Sequence, residues 1–245
     1  TPLPRWFQAF FLLSQLSGIS STRLAEIIQV TYKTAWLISH KIRHAMCQAD
    51  AEVCLGGLVR VDRTFYGNSL YADARQPLLI AGSLDDDKQP QALKIKQPDP
   101  DHAAMDRRWV EQPGVHAFVK EHVDRRAVTE FAPFGRLAHV HPPLRQIRND
   151  VCTWLNETFQ GIGPKHLQAY LDEYVFRLNL KIRRASIVES LLNWCATTKR
   201  LTYKDLIQVK ARFPVPWVVW GSKAKWKGRH HSLWNESKSV TQAYA

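Results

Sequence analysis

A chain of 245 residues, 45% of them hydrophobic, is long enough to bury a sizeable core, and one main domain with a smaller appendage is expected. The formal charge of +12 and a pI near 9.7 point to a polyanionic partner, with nucleic acid first, because lysines and arginines beside phosphates gain affinity by releasing condensed counterions. Cys47, Cys54, Cys152 and Cys195 lack any paired short spacing, which suggests neither a zinc site nor a disulfide framework and fits reduced cytosolic thiols. The apolar run FQAFFLLSQL is too short for a membrane span and has no cleavage site behind it, so no membrane partner and no targeting segment are expected.

Residues 1–50 are helical by pattern. Trp6, Phe7, Phe10, Phe11 and Leu13 to Leu16 recur at helical spacing until Gly18 stops the run. The following stretch, ISSTRLAEIIQVTYKTAWLISHKIRHAM, has the form of a helix-turn-helix. Ser20 or Ser21 caps a first helix holding Leu24, Ile27 and Ile28; Thr31 caps a second in which Ala35, Trp36, Ile38 and Ile42 face inward. Tyr32, Lys33 and Thr34 would then enter a major groove, with Lys41, Arg43 and His40 on or near the outer side. An ordinary helical hairpin with a solvated basic face explains the same pattern.

Residues from about 55 to 140 read as mixed strands. LVRVDRTF, PLLIAGSL and QALKIKQ are separated by turn-forming segments such as DDDKQP, as in antiparallel neighbours; a helix with His116 and His122, the short strand AVTEF and the segment LAHVH follow. From about 143 to 212 the chain is helical again, and Leu167, Tyr170, Leu171, Tyr174 and Leu178 form an apolar stripe. The segment from 213 to 245 is rich in tryptophan and base. An extended arm carrying Lys223, Lys225, Lys227 and Arg229 for bases or phosphates is one reading, and a poorly ordered basic terminus is the other. Strands followed by helices imply an α/β (α+β) core rather than a barrel.

Asp62 lies inside a strand that Leu58, Val59, Val61 and Phe65 suffice to bury, on the same face as Arg60 and Thr64, while Val59, Val61, Arg63 and Phe65 take the opposite face. A buried carboxylate needs hydrogen bonds, a salt bridge or a cation. Arg60 makes the salt bridge natural. A magnesium site would require further oxygens, and Glu130, Asp150 and Asp124 are candidates among which spacing does not choose.

The blocks PLPRWFQAFFLLSQLSGISSTRLAEIIQVTYKTAWLISHKIRHAM, VRVDRTFYGN, PLLIAGSLDDDKQPQALKI and above all GPKHLQAYLDEYVFRLN resemble, in order and spacing over residues 1–210, those of a bacterial insertion-sequence DDE transposase. The branch is the ISXO-two-like one of the fifteen-ninety-five insertion-sequence family. The resemblance implies a ribonuclease-H-like mixed sheet flanked by helices over residues 55–212, preceded by the helix-turn-helix-like segment 1–50. In such a core two strand aspartates and a third polar residue on a helix hold two Mg2+ (or Mn2+) ions that cut DNA at transposon ends and join it to target. Asp62 matches the first aspartate, Glu130 stands best for the second with Asp124 behind it, and Asp150 or the adjacent Asn149 for the third. Lys165 and His166 match the family's phosphate-contacting pair. The implied partners are double-stranded DNA, as transposon ends and target, and a second copy of the chain, and the implied location is the bacterial cytoplasm, at the nucleoid.

The chain departs from this pattern where it matters. Arg60 and Arg63 stand where the family shows glutamates, the glycine-rich stretch after the first block is shortened, and the family's N-terminal zinc ribbon is not represented in residues 1–245. A transposase whose active site has decayed, left as a DNA-binding protein, is therefore the alternative to an active enzyme. The pairing of Arg60 discriminates: with Asp62 it favours the inactive protein, with DNA phosphate the enzyme.

Overall fold

The computed structural model describes residues 1–67, 72–131 and 141–215. It is a mixed α/β structure, with α1 (Leu3–Ser14), α2 (Ser21–Ile27) and α3 (Tyr32–Ala51) leading into the strands. Then come β1 (Leu58–Tyr66), β2 (Gln76–Leu84), β3 (Pro90–Lys96), α4 (Gln112–His122) and β4 (Val128–Phe131). Four helices finish the described chain: α5 (Pro142–Phe159), α6 (Leu167–Ile182), α7 (Ile187–Thr197) and α8 (Tyr203–Gln208). Among the described residues no helix is long and apolar enough to cross a membrane.

The caps expected at the first helices are present. Ser20 and Thr31 each accept the backbone N–H three residues on, from Arg23 and Thr34, which satisfies one orphan donor at the start of α2 and of α3. Gly18, at φ +71°, joins α1 to α2, and a Cβ there would meet the Trp154 indole Nε1 at 2.6 Å. That indole donates to the Ser17 carbonyl, so the joint is held against α5.

The sheet has the order β3-β2-β1-β4. β1–β2 and β2–β3 are antiparallel and β1–β4 is parallel, with Asp62 opposite Ile80 and Arg60 opposite Glu130. Alternation along β1 divides its side chains between two cores. Val59 and Val61 pack with Leu79, Ala81, Val115 and Phe118 under α4, and Tyr66 packs with Leu78, Ile80, Leu144, Leu155 and Leu171 under α5 and α6.

The helical start of the chain is not a separate body. Leu13, Leu24, Ile38, Ile42 and Met46 of α1 to α3 share one core with Phe176 of α6 and Leu191 of α7. Ile27 is 42% exposed, and Leu3, Phe7 and Phe11 form an outward stripe on α1. Two buried ionic knots tie these layers together. Glu173 of α6 accepts from Arg43 of α3 and pairs with Arg177, whose guanidinium also donates to the Gln15 carbonyl after α1. Asp50 at the end of α3 pairs with Lys94 and Lys96 of β3, and Lys96 reaches Asp172 of α6. Burial alone would lower the Lys96 ammonium, yet Asp172 and Asp50 outweigh it and hold it above its usual range.

The basic terminal segment begins later than 213. Phe213 and Val215 are buried, the Phe213 carbonyl accepts from Gln76, and the Pro214 carbonyl accepts from Arg107. Lys223, Lys225, Lys227 and Arg229 lie outside the described residues.

Candidate functional site

β1 places Asp62 on the sheet face covered by α5, with no exposed surface. Its two oxygens are engaged from different parts of the chain. Oδ1 accepts from Arg60 Nε at 3.2 Å, and Oδ2 accepts the backbone N–H of His141 at 2.9 Å. The second contact is made by the first turn of α5. Pro142 and Pro143 fill the first helical positions without N–H groups, which leaves the His141 N–H at the N-cap to point at the carboxylate, where the positive end of the helix dipole also favours a negative charge.

Arg60 reaches further, because the parallel register sets it beside Glu130. Its Nη1 donates to Glu130 Oε2 at 3.3 Å. One guanidinium thus bridges the two carboxylates that the resemblance would make the first pair of acids. Burial raises the Asp62 carboxyl above its ordinary value, and the His141 N–H and Arg60 counter that rise only in part. The His141 imidazole lies in the same field and is lowered, first by burial, against the pull of Asp62. Its Nδ1 is buried without a hydrogen-bond partner.

Asp150 does not join this pair. It is the ninth residue of α5, about 13 Å along the helix from the His141 end, and accepts from Gln146 on the side facing Tyr174. The two prolines start this helix at Pro142, so Asp150 lies well inside it. Asn149 accepts from neighbouring Arg148. Asp124 follows α4 and accepts the Arg126 N–H in a turn. His141 is the residue at the site that sequence reasoning missed; the Pro-Pro pair after it, a helix-start signal, was the available clue.

The described residues do not fit a two-magnesium centre. A magnesium ion requires an octahedron of hard oxygens, and here one cation already stands between Asp62 and Glu130 while the third acid faces elsewhere. Among the described residues no group of three or more His, Cys, Asp or Glu is arranged to hold a metal ion. An ion entering between the two acids would meet the guanidinium at close range.

The residues expected at DNA divide into two sets. Tyr32 and Lys33 are exposed at the start of α3 with Thr34 partly so, and Lys33 Nζ sits 5.0 Å from the centre of the Tyr203 ring. Lys41 is half-buried on the outer face of α3. Arg43 is the correction: it is fully buried, bonded to Glu173 and packed over the Tyr170 ring, because position 43 turns toward α6. Lys165 is exposed and donates to the Ile207 carbonyl of α8. His166 packs against His40 and Trp36, and its pKa is lowered to about 4, first by burial and then by Lys165 and Arg43.

Compared with known proteins, the chain matches no family model, no curated protein sequence and no solved structure.

Proposed function

We propose that this chain is a transposase-derived DNA-binding protein with a ribonuclease-H-like core whose catalytic centre is closed by its own arginine. The observation that carries this reading is the bridge from Arg60 to Asp62 and Glu130. Asp62 on a central strand, Glu130 on the parallel neighbour and a helix starting over Asp62 suit the ribonuclease-H-like core that the resemblance implies. The guanidinium occupies the place a metal would need, so the carboxylates hold the sheet and α5 together rather than an attacking or leaving oxygen. The buried acids are thereby compensated within the protein.

Duplex DNA is the proposed partner. The net charge of +12 and the exposed Tyr32 and Lys33 at the N-cap end of α3 support it. The test pairs two assays on one preparation: duplex binding across a salt series, and nicking of supercoiled DNA with Mn2+. Binding that weakens linearly in log salt, with no nicking above the level of the Asp62→Asn variant, is the expected result. Nicking lost in Asp62→Asn would restore the active transposase, and no duplex binding would remove the partner.

A further inference from the structure

A groove lies where the start of α1, the outer face of α3 and the end of α7 meet. Its cavity is about 390 Å³, within the range of small-ligand sites. One wall is apolar, made of Leu3, Trp6 and Phe10, whose indole and phenyl centroids lie 6.1 Å apart. The rest of the lining carries four basic side chains, Lys41 and His44 from α3 and Lys199 and Arg200 following α7, beside smaller apolar ones such as Ala45 and Cys195. Among the described residues no aspartate or glutamate lines it. Among the described residues none of the four basic side chains is in a salt bridge.

We propose that this groove binds an unpaired nucleotide of a DNA strand, with the base on the Trp6–Phe10 wall and its phosphate on the Lys199–Arg200 side. The inference rests on the DNA-binding reading and deepens it. Cations alone would suit duplex phosphates, but a stacked duplex offers no aromatic face to the apolar wall. An unstacked base offers that face and keeps its phosphate beside it, so only an unpaired nucleotide uses both walls. A purely apolar peptide would leave four cationic or polar groups facing it, which argues against that occupant.

The test compares, by fluorescence anisotropy with the full chain, a blunt duplex, the same duplex with a five-nucleotide single-stranded overhang, and that overhang made abasic. The overhang should bind about tenfold more tightly than the blunt duplex, and the abasic overhang should lose most of that gain. Trp6→Leu, with its fold checked by circular dichroism, and Lys199→Ala/Arg200→Ala should each bring the overhang to within about threefold of the blunt duplex. Equal affinity for blunt and overhang DNA overturns the groove assignment and leaves duplex binding standing. A preference that survives removal of the bases, or both sets of substitutions, overturns it as well. Failure to bind any of the three DNAs removes the DNA-binding reading itself.

Discussion

Asp62 is a buried acid kept by three compensations of different origin: a side chain two residues away, a backbone N–H from a distant helix start, and the dipole of that helix. Arg60 is the only one of these that a substitution removes cleanly. Arg60→Ala leaves Asp62 in place without its guanidinium and should destabilise the protein by about 3 kcal/mol at pH 7. Asp62 already titrates above its ordinary value because of burial, and loss of Arg60 raises it further. An acid whose folded pKa is raised contributes stability below its unfolded pKa and loses it as pH rises through the folded one. The deficit of Arg60→Ala measured by urea unfolding should therefore be larger at pH 7 than at pH 4. A deficit independent of pH would mean that Arg60 acts through packing alone.

At the scale of elements, α3 and α6 are held by a ring stack and an ionic knot that answer to different perturbations. Burial, with help from Arg43 and His166, lowers His40 to about 2, and it is only 2% exposed. A histidine with a depressed folded pKa contributes stability above about pH 6.5 and loses it as pH falls toward the folded value. His40 alone should remove about 2 kcal/mol between pH 6.5 and 5, an acid sensitivity that His40→Phe should flatten in thermal scans. Glu173→Ala strips the single carboxylate from two buried guanidiniums and should cost about 3–5 kcal/mol by denaturant unfolding at any pH near neutral. What the sequence made legible follows this division. Ser20 and Thr31 act within three residues, and the β1 to β3 strands pair with their neighbours in the chain, so local pattern reveals both. Arg43 looked like a surface base because its partner lies 130 residues away, and the His141 contact to Asp62 spans 79. Asp150 was misplaced because chain spacing does not state which way each turn of a helix faces.

At the scale of the whole molecule, the proposed reading joins the net positive charge to the acid pair bridged by Arg60: a protein that holds DNA without cutting it. The logarithm of the duplex affinity should fall linearly with log salt, and Lys33→Ala should lower that slope by about one unit while weakening binding to all sequences alike. Arg43→Ala, by contrast, should act on stability and leave the slope unchanged, since its guanidinium is fully buried. The most direct measurement is a calorimetric titration of the full chain with Mn2+ at neutral pH, with Asp62→Asn alongside. Heats that are small, unsaturable and equal in the two proteins are predicted, because Arg60 already stands between Asp62 and Glu130. Saturable binding in the native chain that disappears in Asp62→Asn would contradict the closed centre and return the protein to metal-dependent chemistry.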